Sequence, residues 1–137
     1  MITFNYETSF QLKDEGLVEN WIEKVVLNNG FEIGEINYIF CDDTYLLKLN
    51  IEFLQHDTLT DIISFDNSLG KLTAGDIFIS TERVKENAAE FEVTFEEEMQ
   101  RVMIHGVLHY MGFKDKSKED RINMRGAENE ALLLLSN

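Results

Sequence analysis

The residues best suited to chemistry lie in one short stretch, His105-Gly-Val-Leu-His109-Tyr-Met-Gly112-Phe-Lys-Asp115. Two histidines four positions apart on a helix project from the same face, one turn above the other. Their imidazoles can share one cation at about 2.0–2.1 Å. Gly112 lets the chain turn without a Cβ penalty, so that Asp115 can return as a third ligand. Three protein ligands and a free fourth position form the pattern of a catalytic rather than a structural zinc. The water held in that fourth position is the expected attacking group, because the ion brings its pKa toward neutrality. No side chain is assigned as acid or base. One zinc ion per chain is expected, and the carboxylate ligand opens the site to other divalent ions.

The spacing HxxxHxxGxxD imitates the zinc peptidases, whose general base is a Glu directly after the first His. Gly106 occupies that place and cannot take a proton, which disfavours a peptidase. An iron site of the His-His-carboxylate type stays open on ligand chemistry alone, with no co-substrate motif to support it.

The elements that must position these residues are read from periodicity, glycine, Asn and Asp, because the chain contains no proline. Ile2, Phe4 and Tyr6 alternate with polar residues and predict a first strand. Leu17, Trp21, Val25 and Val26 recur at helical spacing within 14–29, with Gly30 as the stop. A second strand is expected over 33–40, a helix from Asp43 through Leu54, and short strands over 62–65 and 77–79. Gly70 and Gly75 are expected to frame the turn between those two short strands. From Thr81 onward the pattern is helical, and Thr94 with Glu97 matches a capping box. The helix this box opens is apolar all round through Met111, which predicts a central, buried element carrying the metal motif. Gly112 ends it and a last helix runs from about 117 to 135. Residues 1–137 are therefore expected to form a single layered α+β domain, a small mixed sheet of about four strands packed with about five helices.

Size and composition agree with one globular unit: 137 residues, 44% hydrophobic and 28% charged. The lone Cys41 excludes an internal disulfide and points to a reducing, cytoplasmic setting with an inert buried thiol. No apolar run approaches the ~20 residues of a membrane span, and residues 1–6 lack the features of a signal peptide. Twelve basic against twenty-six acidic residues give a net charge of −14, which excludes a protein that coats nucleic acid by charge alone. Five of the twelve cations, Lys114, Lys116, Lys118, Arg121 and Arg125, nevertheless fall together beside the metal motif. Lys118, Arg121 and Arg125 alternate with Glu119, Asp120 and Glu128 at the spacing of exposed helix pairs. The run Glu96 to Glu98 reads as the solvated start of the buried helix. Thr60, Asp61 and Ser64 invite a catalytic role, but a loop-to-strand turn with its own side-chain hydrogen bonds explains them as well, and Asp76 after Gly75 is similar.

Several blocks in register carry a resemblance to a known family. His105 to Leu108, His109 and Gly112 match the HGxLHxxGxDH motif of the YbeY family, bacterial endoribonucleases of ribosomal RNA maturation. Asn50 and Phe53, then Thr60-Asp61-Ile62-Ile63-Ser64-Phe65, then Gly75-Asp76-Ile77 stand where the family carries N-x-x-Y-R, T-D-V-L-S-F and G-D-I. The resemblance implies metal-dependent cleavage of single-stranded RNA in rRNA processing and ribosome quality control. It also implies ribosomal RNA, small-subunit ribosomal proteins and assembly GTPases as partners. Two departures from the pattern matter. Asp115 replaces the third family histidine, with Lys114 in place of the preceding Asp, and Leu54 replaces the arginine. If that arginine handles phosphate, His56 and Lys114 are the candidate substitutes. A metal-stabilised module that docks on the ribosome without cutting RNA is the competing reading.

Overall fold

The computed structural model describes residues 1–55 and 58–136. Strand β1 (Ile2–Tyr6) leads into helix α1 (Glu15–Asn28), strand β2 (Glu32–Cys41) and helix α2 (Asp43–Leu49), which runs on as a π-helical stretch over Asn50–Leu54. Strands β3 (Ile62–Asp66) and β4 (Leu72–Ser80) follow, then helices α3 (Thr81–Phe91), α4 (Phe95–Tyr110) and α5 (Lys118–Ser136). The sheet order is β1-β2-β4-β3. The first two pairings are parallel, and β3 returns antiparallel to β4 as an edge. The expected mixed sheet with helices packed on it is what the chain forms.

Local chemistry explains the element starts. Asp14, Asp42, Ser80 and Thr94 each accept a hydrogen bond from a backbone N–H of the first turn they precede. At α5, Ser117 Oγ accepts from Asp120 N while Asp120 Oδ2 accepts from Ser117 N, a reciprocal cap. Gly112 ends α4 with φ 97°. Gly75 is not part of the β3–β4 turn as its residue type suggests. It lies within β4, paired with Ile36 and Asp66, and the turn is closed around Gly70 by Leu69 and Leu72. A Cβ at Gly75 would run into the Tyr110 hydroxyl and the Phe65 carbonyl, so the glycine admits the α4 tyrosine to the sheet. Asp76 likewise lies within β4, where it accepts a hydrogen bond from Asn37 Nδ2 across the ladder.

Strand periodicity divides the side chains between two faces. Ile36, Tyr38, Phe40, Ile77 and Ile79 join Trp21, Ile22, Met103, Ile104 and Leu108 in the main core, between the sheet and α1, α4 and α5. Two buried polar groups are bonded across this core, Tyr38 OH donating to Met103 O and Trp21 Nε1 to Ala131 O, both at 2.8 Å. Cys41, Leu46 and Ile63 form a smaller cluster under α2 on the other face. Burial and the neighbouring carboxylates push the Cys41 thiol up to about 12, so it is inert near neutrality. Among the described residues, no helix is long and apolar enough to cross a membrane.

Candidate metal centre

Helix α4 is buried on nearly every side, as its all-round apolar pattern predicts. Gly106 allows its tight seat on the sheet. A Cβ there would lie 3.0 Å from Ile77 Cδ1 and 3.2 Å from Ile62 Cδ1. Position 106 thus faces β3 and β4, and a glutamate there would be driven into the core rather than toward the histidines. The neighbouring His105 and, one turn on, His109 lie at the rim of a cleft of about 470 Å³, lined also by Asp61, Ser64, Glu98, Arg101, Asp115 and Glu128.

The three residues singled out from spacing converge. His105 Nε2 and His109 Nε2 are 3.0 Å apart, and Asp115 Oδ2 lies 3.3 Å from the first and 3.2 Å from the second. Tetrahedral coordination at 2.0–2.1 Å sets donor separations of about 3.3–3.4 Å, so the triangle has the size a zinc-like ion requires. The other ring nitrogens fix the tautomers. His109 Nδ1 lies 2.9 Å from Phe113 O, a carbonyl that can only accept. His105 Nδ1 lies 2.7 Å from Glu128 Oε2. Burial pushes the Glu128 carboxyl up, but hydrogen bonds from His105 and Arg101 outweigh it and hold the group below its ordinary range, ionised and accepting. Both Nδ1 atoms therefore carry the proton in the neutral rings, and both Nε2 lone pairs face Asp115. Three acceptors pointed at one another repel unless positive charge sits among them. Donating the second ring N–H to a carboxylate or a backbone carbonyl is also how metal-binding histidines are usually held. The donor set fits a divalent cation.

Behind the triangle lies a charged layer that spacing alone misses. Glu128 is only 5% exposed. Its Oε1 accepts from Arg101 Nη1 at 2.9 Å while Oε2 accepts from His105. It is therefore no solvated helix-pair residue, although Arg125 does approach it at the i,i+3 spacing, 3.6 Å away. Glu98 is buried as well, unlike the solvated helix start expected of the Glu96–Glu98 run. Burial, then the charge of Asp61, push its carboxyl up against the pull of Arg101 and Arg125. Burial also raises the Asp61 carboxyl, with His105 opposing. Burial pushes the His105 imidazole down, and the Glu128 hydrogen bond and the Glu128, Asp115 and Asp61 charges more than reverse this. Thr60 Oγ1 donates to Ile62 O, the local bond expected of it, while Asp61 turns into the cleft.

Lys114, one of the two candidate phosphate-handling residues, lies elsewhere. It is exposed and borders a separate depression with Gly112, Ile122, Asn123 and Gly126. It is not among the cleft-lining residues. His56 lies outside the described residues. Leu54 is exposed and lies away from the cleft lining. Of the basic run from Lys114 to Arg125, Arg125 alone lines the cleft, joined there by Arg101 from α4. Arg101 had no local signal, because its partner Glu128 is 27 residues away.

A mixed sheet backing a helix that presents two imidazoles to a carboxylate is the frame of a metal-site protein, and comparison with known proteins gives its family. The family model for Endoribonuclease YbeY matches residues 2–136, and the chain belongs to that family. It is 59% identical over 134 residues to a protein named Endoribonuclease YbeY from Flavobacterium psychrophilum, covering 98% of this chain and 96% of the relative. The protein of the same name from Flavobacterium johnsoniae is 54% identical over 134 residues, with the same coverage of both chains. The solution structure of TM1509 from Thermotoga maritima is similar with a TM-score of 0.67 and 29% identity, covering 98% of this chain and 89% of that one.

Proposed function

We propose that His105, His109 and Asp115 hold one divalent ion, zinc in the first instance, and that the chain uses this site to cut single-stranded RNA. Endoribonuclease activity in rRNA processing follows from the family to which the chain belongs. The observation that carries the site assignment is the convergence of two Nε2 lone pairs and a carboxylate oxygen, with both Nδ1 protons engaged elsewhere. A bound divalent ion supplies Lewis acidity toward a phosphoryl oxygen or a water molecule.

The chain's own residues supply the rest. Glu128 and the Phe113 carbonyl hold the imidazoles in one tautomer and one orientation. Arg101 keeps Glu128 ionised. Asp61 and Glu98 line the same cleft, and their raised affinity for protons suits them to hold or pass one near the reacting phosphate. Single-stranded ribosomal RNA is the substrate class in this reading. Small-subunit ribosomal proteins or assembly GTPases in the cytoplasm are the partners, on the strength of the resemblance.

Metal analysis and an RNA digest test the proposal together. Purified protein is expected to bind about one equivalent of divalent ion, His109→Ala to lose it, and chelation to abolish cleavage of a labelled single-stranded RNA. Full metal occupancy in His109→Ala would defeat the ligand assignment. A folded, metal-loaded sample that leaves RNA intact would favour a docking module instead.

A further inference from the structure

The cleft holds two guanidinium groups with very different commitments. Asp61, Glu98, Asp115 and Glu128 give it four carboxylates, against Arg101 and Arg125. Arg101 is bonded to Glu128 Oε1 at 2.9 Å, with its side chain 15% exposed. Arg125 approaches the same oxygen only to 3.6 Å, beyond hydrogen-bond distance, and its side chain is 61% exposed. Both Glu128 oxygens already have closer partners, Arg101 and His105. Arg125 therefore keeps its donor fork for something else, at the mouth of the cleft and one turn of α5 from Glu128.

We propose that Arg125 is a phosphate-binding residue, clamping the RNA backbone at the mouth of the metal cleft. The inference rests on the reading of this cleft as the RNA-cutting site. A guanidinium presents a planar fork that matches two phosphate oxygens. The excess of carboxylates inside the cleft repels a phosphodiester, so a cation at the entrance is needed to hold the strand while the scissile group reaches the donor triangle. Lys114 cannot take this part from its present place, because it borders a different depression.

The test uses the full metal-loaded chain and a fluorescent single-stranded oligodeoxyribonucleotide, which shares the phosphate backbone of RNA and which an endoribonuclease leaves intact. Arg125→Ala is expected to weaken binding about fivefold at low salt, the size of one good exposed ion pair. It is also expected to flatten the slope of log K against log salt by about 0.7, the value for one lost phosphate contact on a single strand. Arg125→Lys restores the slope and part of the affinity, since charge is kept and the fork is lost. Metal content stays at the wild-type level in both variants, and on RNA the Arg125→Ala defect falls on KM more than on kcat. An unchanged slope, failure of the wild type to bind the probe, or a larger slope change in Lys114→Ala would overturn the assignment. Loss of the proposed function reads differently: wild-type protein with its metal would then fail to cut RNA at all.

Discussion

The two faces of the sheet are built to different standards. On one, α1, α4 and α5 cover a continuous core of aromatic and branched side chains, and the metal triangle stands at its rim. On the other, α2 covers three buried residues, Cys41, Leu46 and Ile63, while Ile51, Phe53 and Leu54 beyond it stay exposed. The donors sit on the face where rotamers are most constrained by packing and where a second layer of charge fixes the imidazoles. Precision at a metal site needs a stiff support, and the molecule places its support on one side only.

The sharpest way to break this contrast is Glu128→Ala. It leaves Arg101 without its buried partner and His105 Nδ1 without an acceptor, at an expected cost of about 3–5 kcal/mol in stability. Metal affinity should fall roughly 10–100-fold through loss of ring orientation. Denaturant unfolding and a metal titration read both, and a variant that holds metal as tightly as wild type would show that Glu128 does not orient the ring. Leu46→Ala probes the thin face. Its side chain is almost fully buried, so truncation should cost about 3 kcal/mol, while metal affinity stays within twofold of wild type. A large drop in affinity there would mean that the two faces are coupled after all. Gly112→Ala is the mildest. The positive φ strains any L side chain at the end of α4, with an expected loss of about 1–2 kcal/mol. It should loosen the turn that brings back the Phe113 carbonyl and Asp115, so metal affinity should fall with stability. Thermal melts with and without zinc would separate the two effects.

What could be read from the chain followed the range of the interactions concerned. The convergence of His105, His109 and Asp115 was legible because the three lie within eleven residues on a helix and its closing turn, where spacing decides geometry. Helix starts were legible for the same reason, since a cap contacts residues three positions on. Glu98 and Glu128 were misread as solvated because both turn into the cleft lined also by Asp61 and Arg101, a tertiary arrangement no local pattern records. Gly75 was misread as a turn residue because glycine marks both turns and close approaches, and the group that approaches is Tyr110, 35 residues later. Lys114 is next to Asp115 in sequence, yet the α4–α5 turn sends it to another surface.

Gly106 carries a consequence beyond packing. One wall of the cleft belongs to α4 and the opposite one to β3, the two elements that meet across this glycine. A single hydrogen where other residues carry a methyl thus gauges the width of the trench, from inside the molecule. A Cβ here would press on the Ile77 and Ile62 methyl groups, which would have to give by a few tenths of an ångström. The spacing between the helix wall and the strand wall of the cleft is therefore set from a buried position.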